Sequence, residues 1–258
     1  MNILFTICGR AGSKGIKNKN MKQFLEYPLP YYTLSAIDLF CEQHEEHTYD
    51  IAVNTDSKEL VSIVKRFYKE IVAVERKQEL AGDRVGKVDV IRDTMEQMER
   101  IKKCKYDMVV DLDLTSPLRT KKDIENLIAK KCFKDYDVVF SVVESRRNPY
   151  FNMVKENGEY CEKVNQSNYV ARQEAPAIYD MNASLYAYEP SFLEKGKGLF
   201  DGKCGMIKMY DTAVLDLDHQ NDFVLMEVIA QYLFTEVEDF VEVYNHIPKC
   251  MSSELGEC

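Results

Sequence analysis

The chain has 258 residues, 45% of them apolar, and a formal charge of −9 at pH 7. That is enough for one large α/β domain with a sizeable core, 1–258, and the acidity argues against a nucleic-acid partner, which wants a basic face. No segment reaches the ~18 consecutive apolar residues of a membrane span, and the start lacks a basic n-region, so a cytoplasmic protein with no membrane partner is expected.

In chain order, Ile3–Cys8 is a short apolar run rich in β-formers and reads as a buried strand. After a turn at Pro28 and Pro30, Leu34, Ile37 and Cys41 share a helix face. Ile51–Asn54 reads as a strand, and Leu60, Ile63, Val64 and Phe67 as a helix. Ile71–Val74 is again a strand; Val88, Ile91, Met95 and Met98 mark a helix. Strand Met108–Leu112, helix Asp123–Lys131 and strand Val138–Val143 follow. This alternation implies a mostly parallel sheet covered on both faces, with ligands beyond the carboxyl ends of its strands. The alternation lapses over 144–180, a polar, aromatic stretch with a hairpin expected at Asn157–Gly158; it reads as an excursion, not a second domain. Regular structure returns at Ala183–Tyr188, Met206–Met209 and an apolar helix Phe223–Leu233, and Met251–Cys258 is expected to fray.

Eight cysteines without a C-x-x-C pair read as reduced, mostly buried thiols. His44 and His47 fall in EQHEEH, which is not H-E-x-x-H, and read as a solvated face.

Chemistry concentrates after the first strand. Gly9, Gly12 and Gly15 recur every third residue, with Arg10, Ser13, Lys14, Lys17, Lys19 and Asn20 among and after them. Glycine admits positive φ and close backbone approach, and a nest of N–H groups with fixed cations holds phosphates. The loop is neither a Walker A motif nor a dinucleotide fingerprint. A second candidate is Asp216-Leu-Asp218. If Ala213–Leu215 is a strand that continues, both carboxylates face one way, as Mg²⁺ ligands or as acids in water.

R-x-G-S-K-G-I-x-x-K-N resembles the N-terminal signature of the CMP-sugar synthetases, above all the acylneuraminate cytidylyltransferases, over roughly residues 2–235. The resemblance implies a Rossmann-like nucleotide-diphospho-sugar transferase fold with a mostly parallel sheet. It implies transfer of CMP from CTP to the anomeric hydroxyl of a nonulosonic acid, with release of pyrophosphate. Arg10 and Lys14 would act on the triphosphate. Gly12, Ser13, Lys19, Asn20, Arg76 and Asp83 would bind the nucleotide, the last two in a stretch resembling R-P-x-x-L-A-x-D. Asp216 and Asp218 would hold Mg²⁺, with a third acid at Asp222; Asp218 or a water would take the hydroxyl proton. Asp113-Leu-Thr-Ser-Pro-Leu-Arg119 is similar to the family's Q-P-T-S-P-L-R, so Asp113, Thr115 and Ser116 would meet the sugar. Arg172, Gln173, Asn182, Tyr186 and Phe200 also map to the sugar pocket, and 144–180 to an arm that pairs two subunits in a homodimer.

The chain leaves the family pattern at five places, two of which are Lys77 and Leu114, each standing for Pro. Gly9 stands for Ala, which should only loosen the turn. Asp113 stands for Gln, and Phe151 for a partner-subunit Lys, and both point to an altered sugar. Two other readings compete: a D-x-D glycosyltransferase that consumes a nucleotide sugar, supported by two D-L-D triplets, and a catalytically inactive CTP-binding homologue.

Overall fold

The structure, a computed structural model, describes residues 1–12, 16, 18–82, 85–215, 217 and 219–253. Its strands are β1 (Asn2–Cys8), β2 (Gln23–Phe24), β3 (Tyr27–Pro28), β4 (Thr48–Thr55), β5 (Val72–Glu75), β6 (Met108–Leu112), β7 (Val138–Glu144), β8 (Val154–Asn157), β9 (Tyr160–Lys163), β10 (Tyr179–Tyr188) and β11 (Cys204–Lys208). Its helices are α1 (Leu29–Gln43), α2 (Lys58–Phe67), α3 (Lys87–Lys102), α4 (Lys121–Phe133), α5 (Pro190–Glu194), α6 (Gln220–Glu236) and α7 (Glu238–Ser253).

Seven strands form one sheet in the order β11-β7-β10-β6-β1-β4-β5. All neighbours pair parallel except β10, which runs antiparallel to both β6 and β7. The carboxyl ends of β1, β4, β5, β6 and β7 therefore meet at one edge, joined there by the start of β10. The central strands β1, β6 and β7 are mostly apolar because both faces are covered. One core cluster joins β1 residues Ile3, Phe5 and Ile7 to α1, α2, α4, α6 and α7; the other joins Leu4 to α3 and α5.

Local chemistry sets the helix starts at this edge. Ser57 Oγ accepts from Leu60 N at 3.2 Å, and Thr120 and Asp123 form a reciprocal capping box. Gly158, at φ 64°, turns the β8–β9 hairpin as Asn157–Gly158 implied.

The structure departs from the sequence expectations in five places. Pro30 sits inside the first turn of α1, not in a turn before it. Asp211–Val214 is a 3₁₀ turn, so the strand that would have aligned the two acids beyond it is absent at 213–214. Of the end expected to fray, Met251–Ser253 still belongs to α7, anchored by Phe240, Val243 and Ile247, whose helical spacing the sequence reading passed over at Pro248, and residues 254–258 lie outside the described residues. His44 and His47 are half-buried, and His44 stacks on Phe40 at 4.4 Å. The seven described cysteines are free thiols, but Cys132 and Cys161 are exposed and the rest only partly buried.

Candidate functional site

The loop after β1 is tied down from both sides. Gly9 N donates to Asn54 O at 3.1 Å, Ala11 N to Asp56 Oδ1 at 2.6 Å, and Asn20 Nδ2 to Arg10 O at 3.1 Å. Gly12 has φ 75°, as a loop of this kind requires. Ser13, Lys14, Gly15 and Lys17 lie outside the described residues.

Gly9 does more than loosen the turn. A Cβ there would sit 2.8 Å from Leu114 Cδ1 and 2.9 Å from Leu60 Cδ2. Leu114 is itself where the chain leaves the family's Pro, so the two departures fit one another. Gly9→Ala is expected to cost ~1–3 kcal/mol by overpacking. Leu114→Ala in the same chain should return part of that in urea denaturation, and equal stability of wild type and Gly9→Ala would contradict the packing argument.

A cleft of ≈ 300 Å³ opens at the carboxyl edge, walled by Arg10, Lys19, Asn20, Arg76, Lys87, Asp113 and Thr115, with Cys8 also in its lining. Arg76 is buried and fixed, its Nε donating to Asn54 Oδ1 at 2.8 Å and its Nη2 to Asn54 O at 3.2 Å. Asp83 lies outside the described residues. The sequence thus brings Arg10, Lys19, Asn20, Arg76, Asp113 and Thr115 together, though they span more than a hundred positions.

The centre of the cleft is a group the sequence reading missed. Lys87, the first residue of α3, places its ammonium 2.8 Å from Asp111 Oδ2 and 2.7 Å from Asp113 Oδ2. Thr6 Oγ1 donates to Asp111 Oδ1 at 2.8 Å, and Thr115 donates to Asp113 Oδ1 through N and Oγ1 at 2.8 and 2.7 Å. Strand register makes this arrangement: Asp111 lies between Thr6 on β1 and Tyr186 on β10, and the Lys87 ammonium lies 5.7 Å from the Tyr186 ring. Burial works against ionised Asp113, but the Lys87 ammonium and the Thr115 bonds hold its carboxyl well below the usual range. Burial likewise opposes the Lys87 charge, yet the two carboxylates raise its pKa well above the ordinary lysine value. The Cys8 thiol is pushed up by burial and by Asp111. The second half of a D-L-D triplet was visible in the sequence; that a lysine 24 positions upstream bridges the triplet was not.

Arg119 is wholly buried and shapes the loop rather than reaching a ligand. It donates to the backbone oxygens of Asp113 and Ser116 and to Ser184 Oγ at 3.2 Å. Burial pulls its pKa down to about 10, against the opposing pull of Asp113, Asp111 and Asp123.

The remaining candidates divide. Tyr186 stacks on Tyr188 and meets Phe140, whose ring carries exposed Phe200 at its edge, 6.0 Å away. Asn182 is 1% exposed and packs elsewhere, accepting from Ser141 Oγ at 2.6 Å beside Met209. Ser116 is buried as well. Arg172 and Gln173 line a separate hollow of ≈ 440 Å³ with Ser145 and Asn148, and Arg172 Nη2 donates to Ser145 O at 3.0 Å. Phe151 is half-buried in the turn after Asn148. Asp216 and Asp218 lie outside the described residues; Leu217 between them is fully buried, and Asp222 caps α6 by accepting from His219 N at 2.7 Å.

The family model for cytidylyltransferases matches residues 4–242. Post-translational flagellin modification protein B of Campylobacter coli and CMP-N,N'-diacetyllegionaminic acid synthase of Campylobacter jejuni are each 32% identical over 238 residues, 92% of this chain and 99% of theirs. An N-acylneuraminate cytidylyltransferase of Streptococcus agalactiae is 27% identical over 93% of this chain and 57% of its own length. Among solved structures, a CMP:2-keto-3-deoxy-manno-octonic acid synthetase complexed with CTP shares the fold at a TM-score of 0.64 and 14% identity, over 90% of this chain and 100% of its own. A 4-diphosphocytidyl-2C-methyl-D-erythritol synthase from Anaerococcus prevotii does so at 0.57 and 13%, over 89% and 99%.

Proposed function

This chain belongs to the cytidylyltransferase family, and we propose that it transfers CMP from CTP to the anomeric hydroxyl of a nonulosonic acid, releasing pyrophosphate. The observation that carries the reading is the cleft at the strand ends, where Arg10, Lys19, Asn20 and Arg76 converge in a chain that matches a CMP-nonulosonate synthase along nearly all its length. The sugar oxygen attacks the α-phosphorus, the bond to the bridging oxygen breaks, and the hydroxyl proton leaves to a base. In this reading Arg10 and Lys19 hold the phosphates, Arg10 acts on the leaving group, and Arg76, held rigid by Asn54, serves the nucleotide; Lys14, outside the described residues, is assigned to the triphosphate by resemblance alone. Fixed cations of this kind stabilise charge that grows in the transition state. Lys87 compensates Asp113, so the acid meets a sugar carboxylate without the repulsion that a bare carboxylate would bring.

Asp216 and Asp218 fit Mg²⁺ by the chemistry of their donors, hard oxygens of the kind that cation takes alongside phosphate oxygens. When bound there it would neutralise charge on the phosphates.

The test is pyrophosphate release from CTP and Mg²⁺ with N-acetylneuraminic, legionaminic, pseudaminic and deoxy-octulosonic acids. A diacetylated legionaminic-type acid is expected to be used best, in line with the higher identity to that synthase than to the N-acylneuraminate enzyme. A nucleotide-sugar glycosyltransferase would release none, and an inactive homologue would bind CTP without turnover.

The active unit is a homodimer paired through the 144–180 arm. The arm leaves Tyr160 79%, Val170 85% and Val154 66% exposed, an apolar surface suited to a second copy. Light scattering at micromolar concentration is expected to give twice the chain mass; a fully active monomer would defeat this part of the reading.

A further inference from the structure

We infer that the seam between α1 and α7 is a binding site for one transition-metal ion of the Zn²⁺ class, held by Asp38, His246 and Cys250. Asp38 lies on α1, and His246 and Cys250 lie four apart on one face of α7. Asp38 Oδ2 is 2.8 Å from His246 Nε2 and 3.2 Å from Cys250 Sγ. One donor atom from each residue falls within 4.8 Å of the others. Tetrahedral Zn²⁺ with its usual bonds to sulfur, nitrogen and oxygen spaces its ligands by ~3.3–3.8 Å, so a small outward shift of the three side chains would admit the ion.

The surroundings suit a cation. A hollow of ≈ 570 Å³ adjoins the three residues and is lined also by Glu42, Glu242 and Lys249, so acids outnumber bases. It leaves room for a fourth ligand, either water or Glu42, one helical turn after Asp38 on the same side of α1. The donor set selects the metal: thiolate and imidazole favour Zn²⁺ over Mg²⁺ or Ca²⁺, which take oxygen. Burial raises the Cys250 pKa, and Asp38 and Glu42 raise it further, so the metal-free thiol keeps its proton and gives it to Asp38 as a hydrogen bond. Binding replaces that proton: the S–H bond breaks, an S–metal bond forms and one H⁺ goes to solvent, while the proton between His246 Nε2 and Asp38 moves to Nδ1 by tautomer exchange so that Nε2 can ligate. The site is remote from the cleft. α1 starts at the carboxyl edge of the sheet and runs back toward the opposite edge, where β4 begins, and Asp38 lies in its second half. Its role is to fasten α7, the last helix, onto the core.

The test uses the full chain, without a histidine tag, stripped with chelator and kept in excess Mg²⁺. Titration with Co²⁺ is expected to give one equivalent with a thiolate-to-metal charge-transfer band. Calorimetry with Zn²⁺ in two buffers of different ionisation enthalpy should report one proton released. Cys250→Ser should remove the band and weaken Zn²⁺ binding more than about tenfold, since loss of even a supporting partner costs that much. Asp38→Asn, checked for folding by circular dichroism, should weaken it similarly. No stoichiometric binding, or a band that persists in Cys250→Ser and so comes from another thiol, overturns the site. So does an Asp38→Asn chain that loses stability but binds Zn²⁺ as wild type does, which would make the triad a hydrogen-bonded pin.

Discussion

Lys87→Met is expected to destabilise the fold by about 3 kcal/mol and to cut pyrophosphate release at least tenfold. The substitution keeps the side chain's length and removes its charge, leaving Asp111 and Asp113 facing one another without a cation. Breaking a buried pair by removing one partner typically costs 3–5 kcal/mol, because the remaining charge stays desolvated. Here the lower end applies, since Lys87 is 31% and Asp113 23% exposed toward the cleft, while Asp111 is sealed. The loss of turnover follows from the same charge: under the proposed function, the cleft that would take the phosphates gains a bare carboxylate beside Arg10 and Arg76, and a tenfold loss is about 1.4 kcal/mol. Urea denaturation and a pyrophosphate assay read the two effects. Adding Asp113→Asn to Lys87→Met should restore part of the stability, because it removes one uncompensated charge.

The pH dependence of that stability gap has a definite sign. Asp113 titrates below its unfolded value, so its contribution is present above the ordinary carboxylate range and is lost as pH falls through and below ~4. Lys87 titrates above its unfolded value, so its contribution is present below the ordinary lysine pKa of ~10.4 and is lost as pH rises beyond it. Wild type and Lys87→Met should therefore differ most between about pH 5 and 10 and converge at both ends. A gap of under ~0.5 kcal/mol at neutral pH would mean that the ion triad does not hold the cleft together.

Asp216→Asn and Asp218→Asn are each expected to lower Mg²⁺-dependent turnover by ~10²–10⁴ while leaving stability within ~0.5 kcal/mol. Each substitution preserves side-chain shape and replaces an anionic oxygen donor by a neutral amide, so under the proposed metal role it would remove several kcal/mol of charge stabilisation. The two variants should also need more Mg²⁺ to reach half-maximal rate. Near-normal turnover of both at the same Mg²⁺ concentration would remove these residues from the metal assignment. A loss of folding instead of rate would place them among the capping and packing groups beside Leu217 and Asp222.

Much of this protein was already determined by its sequence. The runs at Ile3–Cys8, Ile51–Asn54, Met108–Leu112 and Val138–Val143, short, rich in β-formers and mostly apolar, read as buried strands and are strands of the sheet. The glycines at 9 and 12 marked the loop, since the positive φ found at Gly12 is a local property. The helix read from Asp123–Lys131 is present as well, and Thr120 and Asp123 cap its start. Tertiary structure decided the rest. The direction of β10 depends on which strands it pairs with, and no periodicity within Tyr179–Tyr188 encodes that. Gly9 looked like a loosened turn until Leu114 and Leu60 were found filling the space where a Cβ would be. Asp113 looked like a charge that must repel or recruit a ligand. In the fold, Lys87 reaches it from the start of a helix on the far side of an intervening loop, and charge compensation between residues distant in sequence is settled only when the sheet and the helix pack.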